Sequence, residues 1–455
     1  MRPSPRYKPA EPALLGTCLL ALVLACKASP PAASAPPGSP LAASAPPGSP
    51  LASSALPGSP PAAQPQRAAP ERIVIGATLP LTGSEARIGG YYKEGYELAF
   101  AEAAKAGGLL LSGKRVPVTL ELRDDTSTQA NAVSLADRLV NSDKVDFLLG
   151  TYSTHLVEAQ STVAEQNQVP YVNGGGGATE IYGRGYKYLF GLMAPVKLLA
   201  TAQMEWIDGQ QKAGKLPRPA VIALIWENTS HGKDFRTGVA EFVAKNPDSY
   251  KITVDESFEL NGKDFGGLLG KVKAANADLF LADTHLPDYI TMQRQYVTAG
   301  LCNKVVSYGA RGSEKQAQEA LGQENVSYIL SAVWWNAQLG SSGLTKAFVD
   351  SFKAQYGGRT PEWYQALGYE TARTLFVAIE QAGSTDREAV RAKLASMKID
   401  SILPGGTLSF ASGAGQQAYY PFVVQQNQPD GSSPIVYPKA AASAPGIAPN
   451  PKCAN

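Results

Sequence analysis

The chain has 455 residues, of which 44% are hydrophobic and 18% are charged, and its formal net charge at pH 7 is +2. The length predicts two or three globular units, and the near-zero charge excludes the basic surface that a nucleic-acid partner needs. Three histidines and four cysteines without a C-x-x-C pair nominate no metal centre, so we expect neither a metal nor a cofactor.

The first segment has the features of an export signal. A positively charged N-terminal region precedes a short apolar run over residues 14–25, whereas a membrane-spanning helix needs about 20 apolar residues. Ala25 followed by Cys26 resembles the lipobox of bacterial lipoproteins, in which the cysteine is acylated and becomes the new N-terminus. We predict a lipoprotein signal peptide over residues 1–25 and lipid attachment at Cys26. The alternative is an ordinary secretory signal cut a few residues away.

A spacer follows over residues 26–71. Its ten-residue repeats consist mainly of Pro, Ala, Gly and Ser, which cannot bury a core. We predict a disordered linker with polyproline II character, rising about 3.1 Å per residue. Such a linker would hold the rest of the chain at a distance from a membrane.

From Arg72 onward, short apolar strands alternate with amphipathic helices. Strands that are apolar on both faces and separated by helices indicate parallel sheets covered on both sides. Two successive series predict an α/β fold of two doubly wound parallel-sheet lobes. The predicted strands are residues 73–81, 116–122, 145–150 and 169–172 in the first series, and 220–226, 252–258, 278–283 and 304–310 in the second.

A run of four glycines, Gly174 to Gly177, follows the last strand of the first series, where α/β sheets bind ligands. The run lacks the spacing of a dinucleotide fingerprint and of a P-loop, which excludes a phosphate cradle. The chain also has no G-x-S-x-G nucleophile motif, and its single S-x-x-K match, at Ser230, lacks the accompanying motifs. We therefore expect no enzyme. His155, His231 and His285 are far apart in sequence, and we expect each to cap a helix or line a cleft.

Besides Cys26, the mature chain would keep Cys302 and Cys453. Export permits a disulfide between them. Nothing in the sequence determines their distance, so a bridge and two free thiols both remain open.

Several stretches, taken in order, resemble periplasmic branched-chain amino-acid-binding proteins of ABC importers. They extend from Ile73 to Gln425 and include IVIGATLPLTGSEARIGG, RDDTSTQANAVSLADRLV, GTYSTHLVEA, RGYKYLFG, SFELNGKDFGGLLGKVKAANADLFL and FVDSFKAQYGGRTPEWYQALGYETARTL. The resemblance implies the type I periplasmic-binding fold, in which two lobes joined by three crossovers close on one small-molecule ligand. It also implies a monomer whose closed form is recognised by an ABC permease in the inner membrane.

The resemblance implies the following boundaries. Lobe 1 comprises residues 72–192 and 332–404, and lobe 2 comprises residues 193–331 and 405–437. We place the crossovers near residues 191–195, 330–334 and 403–407, and a flexible tail over residues 438–455.

The resemblance also implies the positions of the ligand site. Ser153 and Thr154 keep the hydroxyl groups that would hold a carboxylate, whereas the glycine run corresponds to a ligand loop without its side chains. Glycine would offer bare N–H donors and extra room there; the alternative is that the glycines only satisfy the φ angles of a turn. The site residues implied are Arg87, Ile88, Tyr152, Ser153, Thr154, Gly175, Gly176, Gly177, His231, Thr284, Arg311 and Trp335.

Some of these positions depart from the family pattern. The positions of acidic residues that receive a ligand's ammonium group correspond to Ala194 and to Ala310 or Arg311. A pocket that has lost carboxylates and gained a guanidinium favours an anion. We therefore expect a small organic carboxylate rather than leucine, isoleucine or valine. Trp335 would form a flat apolar wall or, alternatively, pack between the lobes.

The sequence predicts an exported solute-binding lipoprotein of an importer, anchored by lipid on the periplasmic or cell-surface side of a membrane. Two alternatives remain open. The same fold could report ligand occupancy to a membrane receptor, or it could serve as a structural lipoprotein without a ligand.

Overall fold

The structure, a computed structural model, describes residues 70–340, 343–411 and 415–453. These residues belong to one compact unit, Gln66–Asn455. The predicted signal peptide, Cys26 and residues 26–69 of the predicted linker lie outside the described residues. Among the residues that are described, no helix combines the length and the apolar character that a membrane span requires.

Short strands and longer helices alternate along the chain, as the apolar pattern predicts. The strands are β1 (Ile73–Leu79), β2 (Leu109–Leu111), β3 (Lys114–Val116), β4 (Val118–Asp124), β5 (Phe147–Leu149), β6 (Tyr171–Asn173), β7 (Leu189–Gly191), β8 (Ala220–Glu227), β9 (Tyr250–Phe258), β10 (Leu279–Asp283), β11 (Val305–Tyr308), β12 (Leu330–Val333), β13 (Lys398–Asp400), β14 (Thr407–Ser409), β15 (Val423–Gln426) and β16 (Ile435–Tyr437). The α-helices are α1 (Ala86–Lys105), α2 (Gln129–Asn141), α3 (Thr154–Gln166), α4 (Thr179–Tyr182), α5 (Val196–Lys212), α6 (Ser230–Lys245), α7 (Gly266–Ala274), α8 (Leu286–Thr298), α9 (Lys315–Leu321), α10 (Gln323–Val326), α11 (Gly343–Gln355), α12 (Trp363–Ala382) and α13 (Arg387–Ser396).

Two sheets form the centres of two lobes. The first has the order β4-β1-β5-β6-β7 and is parallel throughout. The second has the order β16-β15-β12-β11-β10-β8-β9, in which β8 to β12 are parallel and β15 and β16 add antiparallel strands at one edge. Strands such as β10 are buried at every residue, which is typical of sheets covered by helices on both faces. The predicted fold class, two doubly wound parallel-sheet lobes, is confirmed.

The chain passes between the two sheets three times. The first passage joins β7 to α5, and the second joins β12 to α11. The third passage differs from the prediction, which placed it at residues 403–407. There β13 and β14 pair as an antiparallel hairpin, and Thr345 of α11 donates a hydrogen bond to the Ile402 carbonyl next to it. The hairpin keeps the chain beside the first lobe, and Gln416 and Ala418 still hydrogen bond with Gly191 of β7, so the passage to β15 follows Ala418.

The C-terminal segment is not the flexible tail that we expected. Gln426 of β15 donates to the Ile447 carbonyl and accepts from the Ile447 N–H, each at 2.8 Å. The Asn450 N–H donates to the Lys304 carbonyl at 2.8 Å. Cys453 is disulfide-bonded to Cys302, with the Cα atoms 5.3 Å apart. Hydrogen bonds and a covalent link therefore hold this segment against the second lobe through Cys453.

Candidate functional site

The loops that follow the parallel strands of the two sheets face each other across a cleft. In the first lobe, α3 begins at Thr154 shortly after β5 ends. In the second, α6 and α8 begin at Ser230 and Leu286, shortly after β8 and β10 end. Open α/β sheets bind ligands at these carboxyl ends, because successive strands deliver their following residues to one edge.

The two lobes are in direct contact across the cleft. A hydroxyl group takes part in each of four hydrogen bonds that join them, so the cleft is closed. These bonds are Ser153 Oγ to His285 Nε2 at 3.1 Å, Ser230 Oγ to Glu158 Oε2 at 3.1 Å, Thr179 Oγ1 to Asp234 Oδ2 at 3.2 Å, and Tyr364 OH to Glu314 Oε1 at 2.7 Å.

All three histidines of the chain lie in this cleft. His285 Nδ1 is 2.5 Å from Glu227 Oε2, and its Nε2 is 3.9 Å from Glu85 Oε1 of the first lobe. His231 Nδ1 is 2.8 Å from Asp283 Oδ2 and 3.7 Å from Glu227 Oε1. These histidines and carboxylates form a buried network at the ends of β8 and β10.

In this network, the histidines and the carboxylates each shift the pKa of their partners toward the charged form. Burial lowers the pKa of His285, but Glu227 and Glu85 more than compensate and raise that pKa to about 9. Burial also opposes ionisation of Glu227, yet His285 and His231 hold the pKa of that carboxyl at about 2. The pKa of His231 is raised in the same way, because Asp283 and Glu227 outweigh its burial. Glu227 and His285 therefore form an ion pair near neutral pH.

A second buried centre surrounds Arg311. Its Nε donates to the Thr284 carbonyl at 3.3 Å, its Nη1 donates to Glu314 Oε1 at 3.1 Å, and its Nη2 donates to the Tyr152 hydroxyl of the first lobe. The guanidinium lies 5.5 Å from the ring centroids of both Tyr152 and Tyr364. Arg311 is only 4% exposed. The structure therefore places this cation at the boundary between the lobes.

Glu314 is an incomplete counter-ion for Arg311. Burial raises the pKa of Glu314 to about 8, and the nearby charge of Arg311 offsets only part of that effect. Burial likewise raises the pKa of Tyr152 well above its usual value, which keeps its hydroxyl neutral. The Thr284 hydroxyl is buried without a hydrogen-bond partner among the described residues.

The glycine run does not offer the room or the bare donors that we expected. The Gly176 N–H donates to Asn173 Oδ1 at 3.0 Å, and the Gly177 N–H donates to Thr154 Oγ1 at 3.2 Å. A Cβ atom at Gly175 would lie 2.1 Å from the Thr151 carbonyl oxygen. No residue of the run has a positive φ angle. Close packing, rather than a turn conformation or an open pocket, requires glycine here.

Three other predicted site residues lie at the edges of the site or outside it. Trp335 is fully buried and packs against Phe348, with the ring centroids 5.5 Å apart, which agrees with the packing alternative. Arg87 and Ile88 line a cavity of about 340 Å³ at the cleft rim, between the start of α1 and α8. Arg87 Nε donates to the Tyr91 hydroxyl at 2.9 Å.

Ala194, Ala310 and Arg311 carry no carboxylate, as expected at these positions, but four other residues bring carboxylates to the cleft. Glu85 and Glu314 occupy the N-cap positions of α1 and α9, and Glu227 and Asp283 are the last residues of β8 and β10. All four are buried at the cleft. The rule that ligands sit at strand ends could have found Glu227 and Asp283. Nothing in the local sequence pattern identifies Glu85 or Glu314.

Comparison with known proteins agrees with this architecture. Residues 72–431 match the family model described as periplasmic binding protein. Leu/Ile/Val-binding protein homolog 8 of Brucella abortus is 27% identical over 385 residues, which are 83% of this chain and 93% of that relative. The resemblance to the Leu/Ile/Val-binding proteins is therefore confirmed.

Solved structures share the fold at low sequence identity. A leucine-binding protein of Thermotoga maritima has a TM-score of 0.69 at 21% identity, covering 80% of this chain and 97% of that one. A solute-binding protein of an ABC transporter from R. palustris, in complex with benzoate, has a TM-score of 0.67 at 20% identity, covering 83% and 98%.

Proposed function

The chain belongs to the periplasmic binding protein family, and from that premise we propose that it is the exported solute-binding component of an ABC importer and captures a small organic carboxylate in its interlobe cleft. The observation that carries the ligand class is Arg311, a buried guanidinium between the lobes that has one acidic hydrogen-bond partner, Glu314, in the described part of the chain.

The surroundings of Arg311 favour a carboxylate. Glu314 holds a proton over much of the neutral range because its pKa is about 8, so the guanidinium charge is not fully compensated by it. An arginine binds a carboxylate through two parallel hydrogen bonds, and such charge-assisted bonds are stronger than neutral ones. The Thr284 carbonyl accepts a hydrogen bond from Arg311, and the Thr284 hydroxyl has no partner among the described residues. This hydroxyl could donate a further hydrogen bond to the ligand's carboxylate.

Aromatic rings next to Arg311 favour a flat apolar body behind the carboxylate. Tyr152 lies 5.5 Å from Tyr92 and 5.8 Å from Tyr364, measured between ring centroids. Aromatic pairs at such distances offer faces and edges against which another ring can stack. The relative from R. palustris described above was solved with benzoate, an aromatic carboxylate. We therefore include aromatic carboxylates among the expected solutes.

Closure of the lobes supports the importer role. A permease needs a signal of occupancy, and hinge closure of two lobes around a solute provides one. The four hydrogen bonds between the lobes show which groups a closed form brings together. Lipid attachment at Cys26, a monomeric state and a location outside the cytoplasm are part of the same proposal. The same closure would also suit a sensor that reports to a membrane receptor.

The proposal is tested by a thermal-shift screen of the chain without residues 1–26. Amino acids are compared with mono- and dicarboxylates, aromatic ones included. A solute at 100 times its Kd stabilises the folded state by about 2.7 kcal/mol. We expect stabilisation by a carboxylate, lost in Arg311→Ala and kept in Arg236→Ala, which removes an arginine paired with Asp255 at the surface. Stabilisation by leucine or valine would contradict the ligand class. No stabilisation by any solute would favour the ligand-free structural protein.

A further inference from the structure

We propose that Glu227, His231 and Asp283 form a binding site for a divalent transition-metal ion in the second lobe. Each residue offers one ligand atom, and these atoms all lie within 4.8 Å of one another. They come from three successive elements, since Glu227 ends β8, His231 lies in the first turn of α6 and Asp283 ends β10. The spacing of these residues along the sequence did not indicate a metal centre, but folding brings the three of them to one edge of the sheet.

The charge at this position matches a divalent cation. Glu227 is fully buried and Asp283 is 1% exposed, and their ligand atoms lie within 4.8 Å of each other, so two carboxylates lie close together with almost no contact with water. Buried charges are costly unless they are paired or coordinate a metal. With His231 as a neutral imidazole, one divalent ion together with the neighbouring His285 cation would balance Glu227, Asp283 and Glu85.

The donor atoms select the class of metal. One imidazole nitrogen and two carboxylate oxygens suit Zn²⁺ and its neighbours in the first transition row. Calcium and magnesium prefer oxygen ligands alone. His231 Nδ1 lies 2.8 Å from Asp283 Oδ2 and 3.7 Å from Glu227 Oε1. Metal–ligand bonds of about 2.0–2.2 Å place neighbouring ligand atoms about 3.4 Å apart, so the side chains would move by less than about 1 Å.

Neighbouring groups hold the Glu227 carboxylate in place. His285 Nδ1 contacts its Oε2 at 2.5 Å, which leaves Oε1 on the side of His231. The Thr229 hydroxyl donates to Oε1 at 2.7 Å. Partners of this kind orient a ligating carboxylate. Three protein ligands leave a coordination position for water or for a donor atom of a solute.

The metal site lies within one lobe, and its test uses the metal ion alone. The result of that test therefore does not depend on whether the cleft binds a carboxylate. The test uses the tag-free chain without residues 1–26, treated with a chelator and then titrated with Zn²⁺ by calorimetry and with Co²⁺ by visible absorption. We expect one equivalent of metal to bind and Co²⁺ to show the d–d bands of a low-coordinate site. The affinity should fall at least about tenfold in His231→Gln.

The matched control is His155→Ala, which removes a cleft histidine that neither belongs to the ligand set nor contacts Glu227 or Asp283, and should leave the metal affinity unchanged. Equal affinity in wild type and His231→Gln, or no binding by wild type, would overturn the proposal and leave an ion-pair network. If His231→Gln does not fold, Asp283→Asn takes its place. Its metal affinity and the Co²⁺ spectrum of the wild type then distinguish a metal site from an ion-pair network.

Discussion

Ser153 of the first lobe and His285 of the second lie 3.1 Å apart, measured from Oγ to Nε2, and both are buried. The Ser153 hydroxyl also contacts His155 Nδ1 at 3.0 Å. One side chain at the start of α3 is thus the point where the first lobe meets the histidine–carboxylate network of the second.

Ser153→Ala should weaken closure of the cleft. The substitution leaves His285 Nε2 without its hydroxyl partner, and an unsatisfied buried polar group costs about 1–3 kcal/mol. We expect a lower free energy of unfolding in urea and a larger radius of gyration by solution X-ray scattering. Ser396→Ala, at an exposed helix position, serves as the control. Identical scattering and stability for the two variants would contradict the closing role of Ser153.

Glu314→Gln should remove a pH dependence of stability. Burial raises the pKa of Glu314 to about 8 from 4.5, so between these values the folded state binds more protons than the unfolded state. The free energy of unfolding should therefore fall as pH rises from 4.5 to 8, by at most about 1.4 kcal/mol per pH unit.

The measurement is urea unfolding of wild type and Glu314→Gln at several pH values in this range. The difference in stability between the two proteins should shift in favour of the variant as pH rises. Glu319→Gln, which changes an exposed carboxyl on the same helix, should show no such trend. A difference that is constant with pH would mean that Glu314 is ionised throughout.

Removing the disulfide should destabilise the second lobe. Cys302 and Cys453 are 151 residues apart in sequence, and bridges that close long loops contribute about 2–4 kcal/mol. We expect the Cys302→Ser/Cys453→Ser variant to unfold at lower urea concentration than the oxidised wild type. A reductant should lower the stability of the wild type to that of the variant and leave the variant unchanged. Equal stability of oxidised and reduced wild type would show that the bridge contributes nothing.

Gly175→Ala should be destabilising because the loop is closely packed. The new Cβ would lie 2.1 Å from the Thr151 carbonyl oxygen, and overpacking of this kind costs about 1–3 kcal/mol. Gly267→Ala is the control, since no atom lies within 4 Å of a Cβ there and alanine favours its helix. The two variants should change the unfolding midpoint in opposite directions. A tolerated Gly175→Ala would restore the hypothesis of an open glycine loop.

The fold could be predicted because it depends on local patterns of apolar residues. The apolar run at residues 278–283 predicts a buried strand, and β10 is Leu279–Asp283. Residues 220–226 were predicted as a strand, and β8 is Ala220–Glu227. The hydroxyls of Ser153 and Thr154 were assigned to the cleft through the family resemblance, and both are buried at its first-lobe side.

The two α/β series and the strand ends can be read from the amino-acid pattern alone, because burial on both faces of a strand leaves a continuous apolar run. The contact of His231 with Asp283, the contact of Glu314 with Arg311 and the close packing around Gly175 became visible only in the folded chain. These contacts join segments from different loops and helices. Their distances depend on how the two sheets and their helices pack. A local pattern of apolar residues does not predict contacts between segments that are distant in sequence.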